Sequence, residues 1–497
     1  MKVLAKETAI YGLSSIIGKF ISWLLTPMYT YVLVSTQEVG EITNIYAIAA
    51  LLTVILTYGM ETGFFRFINK NGEDENNVYS TTLTSIAFTS LLFLIVVSMF
   101  RQPIAELLHY GDHVDYIMLM SVVLALDAFN AIPFAYLRHK KMPIRFATYK
   151  LVYIFFSIVL NIFFLVLCPM LYQSDYAFLI DWFYRTDYGV GYVFVANLIG
   201  TLIQTFCLIP YWIKLSFRFD THLWRQMLSY SFPLLILGIA GIMNQTFDKI
   251  MMPYLIDDLD EAMHQNGIYG VNSKIAVVLT MFTQAFRFAY EPFVFGKHKE
   301  EDGKRSRQAY AEATKYFVIC SLLIFVGVCF GLDIIKYIVN EKYWEGLNVV
   351  PIIMIGDIFM GVFFNLSVWY KLNDETRWGA YFSLSGFVFI AVINILFVPR
   401  YGYTACAWAI FVAYLVMMLL SYFVGQKRYP IDYDLRAMGR YALLALALYA
   451  VGMYMPIANL WLRLSFRACL FLLFLAYFIR HDLPLSEIPI INRWVKK

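Results

Sequence analysis

The sequence predicts an all-α polytopic membrane protein of about fourteen transmembrane helices, and three observations carry that reading. Apolar stretches of bilayer length run through nearly the whole chain. Of its 497 residues 60% are hydrophobic and 15% charged, with a mean hydropathy of +0.63. A water-soluble fold of this size would have too little polar surface to cover itself. The second half of the pattern also copies the first: Gly12 and Pro27 recur as Gly238 and Pro253, Gly40 as Gly267, Asp127-x-Phe129 as Asp357-x-Phe359, and Asn161-Ile162-x-Phe164 as Asn394-Ile395-x-Phe397. The offsets drift through 226, 227, 230 and 233 residues, as short loop insertions would cause. Internal duplication in a membrane chain points to a transporter whose site lies between two repeats.

A helical span needs about 20 apolar residues. On that measure the first half carries spans near 9–34, 41–68, 79–100, 115–137, 148–168 and 190–212. The second half carries them near 229–256, 266–295, 311–331, 346–370, 379–398 and 404–424, followed by two short ones near 441–456 and 467–480. Met1 to Glu7 lead into the first span without a small-residue cleavage site, so the first helix is expected to serve as its own targeting signal. The six cysteines, Cys168, Cys207, Cys320, Cys329, Cys406 and Cys469, lie in or at the ends of apolar spans and read as small buried hydrophobes.

The loops set the orientation, because Lys and Arg accumulate on the cytoplasmic side. Arg138-His139-Lys140-Lys141 with Arg145, the stretch from Lys297 to Arg307, and Lys427-Arg428 with Arg436 and Arg440 are placed inside. The acidic Asp257-Asp258-x-Asp260-Glu261 is placed outside. Both termini are then cytoplasmic, and the basic clusters anchor the topology; nucleic acid is not an expected partner.

Enzymatic motifs are missing. The sequence has no Cys-x-x-Cys, no His-Glu-x-x-His, no metal spacing among its seven histidines, no Walker A loop and no Gly-x-Ser-x-Gly elbow. A non-enzymatic protein without cofactor or metal is expected. The longest outside connection, Pro169 to Gly189, is an insertion relative to its repeat mate near Pro399 to Tyr403, and it reads as a solvated cap, with a substrate contact as the alternative.

Polar residues at membrane depth are the informative ones, since burying Lys or Asp at a helix centre costs about 2.5 to 3.5 kcal/mol on insertion scales. Ser15, Lys19, Ser22, Thr26 and Tyr29 recur at spacings of four, three, four and three, one face of the first helix. Lys19 lies about ten residues into the span, hence about 15 Å deep at a rise of 1.5 Å per residue. The eighth span repeats the stripe with Ser273, Thr280, Gln284, Arg287 and Glu291, and Lys274 sits one position off it. Two charged stripes predict a water-filled cavity between two bundles. Asp127 and Asp357 are repeat-equivalent and near mid-span, and the reading pairs Asp127 with Lys19 and Asp357 with Lys274, for ion coupling or for structure. Arg287 and Glu291, four apart, can satisfy each other. Asp248 and Lys249 are adjacent and point about 100° apart, so no internal pair is expected, and Lys249 is read as snorkelling.

Tyr230-Ser231-Phe232-Pro233, Asp248-Lys249, Gly267-Ile268-Tyr269 with Lys274, and Asn394-Ile395-x-Phe397-x-Pro399-x-Tyr401-Gly402 followed by Ala405 and Ala407 occur in this order. With these residues the chain resembles the polysaccharide and oligosaccharide flippases of the multidrug/oligosaccharidyl-lipid/polysaccharide exporter superfamily. The resemblance implies two pseudo-symmetric six-helix lobes in a V plus two C-terminal helices. The corresponding boundaries are 1–214, 215–428 and 429–497. It also implies a lipid-linked oligosaccharide substrate, membrane lipids around it, and glycan polymerase and export machinery as partners in the inner membrane. Its isoprenoid pyrophosphate would meet Lys19, Lys274 and Arg287 in a cationic cavity, with hydroxyls such as Ser15, Ser22, Thr26 and Thr280 and the Gln284 amide beside them. Alternating access would carry the headgroup across.

Two other readings remain open. A multidrug cation antiporter shares the architecture but calls for unpaired carboxylates, whereas the first span offers Lys19 and no acid. A membrane glycan polymerase or ligase would need a sizeable outside loop. The sequence does not distinguish capsule, O-antigen of lipopolysaccharide, and exopolysaccharide.

Overall fold

The computed structural model describes residues 18, 20–21, 23–70, 74–213, 218–300, 303–373 and 375–482, without the side chains of 291–293, 295–300, 303 and 304. The described chain is helical. In order the helices are α1 (Leu25–Val32), α2 (Thr36–Thr57), α3 (Met60–Ile68), α4 (Glu75–Met99), α5 (Arg101–Leu107), α6 (Val114–His139), α7 (Pro143–Ile162), α8 (Cys168–Tyr172) and α9 (Gly191–Leu208). There follow α10 (Thr221–Leu255), α11 (Leu259–Glu300), α12 (Gly303–Ile335), α13 (Val350–Leu366), α14 (Val368–Leu372), α15 (Arg377–Tyr401), α16 (Tyr403–Arg428), α17 (Leu435–Tyr454) and α18 (Leu460–His481).

Among the described residues twelve helical segments are long and apolar enough to cross a membrane. They correspond to the expected second to seventh and ninth to fourteenth spans. Residues 9–17, 19 and 22 of the first expected span lie outside the described residues, and α1 is its end. The eighth is the continuous helix α11, whose polar residues keep it out of the twelve.

Helix starts follow local chemistry. The Ser35 hydroxyl accepts from the Glu38 amide while Glu38 reaches back to the Ser35 amide, so α2 begins five residues before the expected 41. Asp74, Asp220, Asp434 and Asn459 cap α4, α10, α17 and α18 through side-chain oxygens. Asp220 titrates below the usual carboxylate range, because the Leu223 amide and the Asn77 side chain donate to it. The second span is broken at Tyr58 (φ 32°) and Gly59 (φ 72°), where left-handed backbone ends α2 and starts α3.

The contacts group the described chain into two compact units. One comprises residues up to Val271 together with Ser383–Ala409; the other comprises Asn272–Phe382 and the chain from Ile410. In the first, α2 packs on α10 and α6, α4 on α6, and α9 on both α6 and α7. In the second, α12 packs on α13, α17 and α18.

Within the first unit, α2 and α11 touch backbone to backbone. A Cβ on Gly40 would lie 1.9 Å from the Met263 carbonyl oxygen, and one on Gly267 would lie 2.1 Å from that of Thr36. Close by, Pro253 of α10 has no N–H to give the Lys249 carbonyl, its partner four residues back. The Asn44 amide (2.7 Å) and the Asn266 amide (3.0 Å) donate to that carbonyl instead. Tyr110 in turn donates its hydroxyl to Asn44 Oδ1 at 3.0 Å.

The two C-terminal spans are longer than expected. Arg463 and Arg467 look like helix-ending charges in sequence. Both reach Asp333 of α12, at 2.7 and 2.8 Å, and Arg467 is 5% exposed. With the charges satisfied inside, α18 extends back to Leu460. Toward the other end of α12, Lys315 pairs with Asp482 at 2.7 Å and Tyr441 of α17 donates to the same carboxylate at 2.6 Å. Of the cysteines, Cys168, Cys329 and Cys406 are buried and Cys207 and Cys320 half-buried, but Cys469 is exposed on α18.

Candidate functional site

In the second unit α11, α13 and α14 bring two cations to one recess. α11 contributes Arg287 and Tyr290, α13 contributes Phe364, and Ser367, where α13 gives way to α14, lies one turn before Lys371. The Arg287 guanidinium lies over the Phe364 ring, 4.5 Å from its centroid. The Ser367 hydroxyl donates to the Phe364 carbonyl at 2.6 Å. Among the described residues lining the recess there are two cations and no carboxylate. Positive charge beside aromatic faces suits an anionic oxygen.

The rest of the expected α11 stripe is half-buried. Ser273, Lys274, Thr280 and Gln284 each keep part of their surface. The Thr280 hydroxyl is turned back onto the Val277 carbonyl at 2.8 Å. Lys274, Gln284, Arg287, Lys371 and Asp357 all have interaction partners. The Glu291 side chain lies outside the described residues, as do Ser15, Lys19 and Ser22. Lys371 is not conspicuous in the sequence. The expected tenth span ends at 370, so this lysine reads as a boundary residue.

In the first unit Thr26 is buried, and Tyr29, one turn on, donates its hydroxyl to Asn161 Oδ1 at 3.0 Å. This end of the first stripe packs against α7. Asp127 of α6 is half-buried, and the charge that faces it among the described residues is Lys150 of α7. Lys150 also lies 4.2 Å from the Phe134 ring centroid. The periodicity of a single helix could not show this neighbour.

Asp248 and Lys249 correct an expectation. Their side chains do pair, with Lys249 Nζ 3.2 Å from Asp248 Oδ1 and the carboxylate 2% exposed. A lysine stem is long enough to fold back along its helix, and Nζ also donates to the Gln245 carbonyl at 3.2 Å. The ammonium lies 4.9 Å from the Tyr269 ring centroid. Lys249 therefore holds a buried carboxylate rather than reaching for the interface.

The fold is shared with solved membrane proteins. The chain is similar to a protein described as "Lipid II flippase MurJ, inward closed conformation", at 14% identity and a TM-score of 0.74, over 95% of this chain and 98% of that one. It is also similar to an "Inward-facing conformation of a multidrug resistance MATE family transporter of the MOP superfamily", at 12% identity and 0.64, over 87% and 96%. A further match is the "MATE multidrug transporter DinF-BH", at 14% and 0.57, over 87% and 96%. Sequence comparison with curated proteins finds no match. The sequence profile described as "Polysaccharide biosynthesis protein" matches residues 4–288, more than half of the chain. With its helical membrane architecture, this protein therefore belongs to the polysaccharide biosynthesis protein family.

Proposed function

We propose that this protein is a flippase that carries an isoprenoid-pyrophosphate-linked oligosaccharide from the cytoplasmic to the outer leaflet of the inner membrane, with both termini in the cytoplasm. The observation that carries the reading is the recess to which Arg287 and Lys371 both contribute beside Tyr290 and Phe364. An unpaired pyrophosphate cannot enter hydrocarbon, because desolvating its charge costs tens of kcal/mol in the Born limit. Fixed cations at the end of the span lower that barrier by taking the place of water. Lys274 on the same helix adds a third cation, and Lys19 of the first span is a further candidate. The isoprenoid tail stays in lipid while the headgroup passes by alternating access, and the membrane potential contributes about 2.3 kcal/mol per charge per 100 mV. The repeat halves, bounded at 214 and 428, move against each other in this scheme. Chemistry is left to partner enzymes of glycan assembly and export.

The fold is shared with multidrug transporters, so the test must separate the two. The gene is deleted and the lipid-linked oligosaccharides of the cytoplasmic leaflet are identified. A flippase leaves one such intermediate accumulated there. Drug sensitivity with normal glycan export would replace this reading by the antiporter.

A further inference from the structure

The connection between the fifth and sixth spans is a folded cap, and its two faces differ. The inner face is pinned by rings. Tyr184 stacks on Tyr192 at 5.1 Å, Tyr192 on Phe164 at 5.1 Å, and Phe183 on Phe163 at 6.4 Å. Tyr192 also takes the Arg185 amide at 2.6 Å, and Tyr188 donates to Asp115 of α6. Ile180 and Tyr184 are buried beneath. These contacts fix the cap's position, so what it exposes is presented by a built surface.

The outer face is apolar. Trp182 is 83% exposed, Phe178 69%, Tyr176 60% and Leu179 52%, and the Trp182 indole donates to the Leu179 carbonyl at 3.1 Å, which ties two of them together. In water such a face is costly, because large apolar side chains gain by leaving water. The chain on either side says what covers it. The cap leaves one span at Tyr172 and re-enters the next at Gly191, so no part of it is far from the headgroups. The span that feeds it exposes Phe155, Val159, Ile162, Leu167 and Met170, the residues lipid covers in a membrane helix. Trp and Tyr favour the headgroup level, where a ring is half apolar and half wet.

We propose that the Tyr176–Trp182 face of this cap is an interfacial membrane anchor, seated in the headgroup and acyl boundary of the leaflet at which α8 ends and α9 begins. Phe178, Leu179 and Trp182 dip toward the acyl chains, and the exposed Asp175 and Asp181 remain in water. The anchor ties the start of α9 to the bilayer at the level that the cap's ring contacts set.

The test uses the full-length protein in liposomes and the fluorescence difference between wild type and Trp182→Phe, which isolates this indole. Lipids brominated near the headgroup should quench most of the difference signal, and aqueous iodide should leave most of it. Phe178→Ser/Trp182→Ser should lower the melting temperature in liposomes and leave it unchanged in detergent. The inference is overturned if iodide quenches Trp182 and brominated lipid does not. It is equally overturned if soluble oligosaccharide shields the indole, which would make the face a glycan platform, or if shielding rises with protein density, which would make it a contact between copies.

Discussion

Gly40 and Gly267, equivalent positions of the two sequence repeats, meet each other. A Cβ on either would stand 3.1 Å from the other's amide nitrogen and closer still to a neighbouring carbonyl. Neither neighbour can yield, because both are helix backbone. Gly40→Ala or Gly267→Ala should therefore cost about 1–3 kcal/mol as overpacking, read as a lower melting temperature and lower folded yield. Gly439, with nothing within 4 Å of its Cβ position, is the control, and Gly439→Ala should lose nothing.

The carbonyl of Lys249 makes a reciprocal case. Asn44→Ala/Asn266→Ala removes both donors to it, and an unmet buried acceptor costs about 1–3 kcal/mol. Pro253→Ala returns an N–H to the same carbonyl. In that background the double substitution should cost clearly less, as a double-mutant cycle in thermal unfolding would measure.

Arg287→Gln and Lys371→Gln should each reduce glycan translocation by at least about tenfold, equivalent to about 1.4 kcal/mol, at unchanged protein level in the membrane. Unaltered export in both would remove the recess from the transport path.

Asp127 and Lys150 face each other between α6 and α7. Asp127→Asn leaves the half-buried lysine without the carboxylate that faces it, at a cost of about 0.5–3 kcal/mol. Folded yield should fall, and Asp127→Asn/Lys150→Met should recover it. Full yield in the single variant together with lost transport would instead assign Asp127 to coupling.

Asp482, just past the last span, is pulled two ways. Burial raises its pKa, but Lys315 and Tyr441 outweigh burial and hold the carboxyl below its ordinary value. The folded state thus binds this proton more weakly than the unfolded chain does. The contribution is present at neutral pH and is lost as pH falls through and below the usual aspartate range. Wild type should be more heat-stable than Asp482→Asn at neutral pH, and the gap should close in acid.

The membrane class, most spans, the repeat and the family resemblance were legible in the chain, because bilayer thickness and hydrocarbon impose run lengths that composition alone records. Arg287 could be singled out for the same reason, a charge being conspicuous inside an apolar run. What only the tertiary structure decided was which polar group meets which. Lys371 joins Arg287 from another helix, Lys150 faces Asp127, and Asp333 draws Arg463 and Arg467 inside and lengthens the last helix. The Lys249 carbonyl goes to two asparagines distant in sequence. Helical periodicity assigns each side chain a face but not the neighbour across from it, and in a membrane the energy of a charge is set almost wholly by that neighbour.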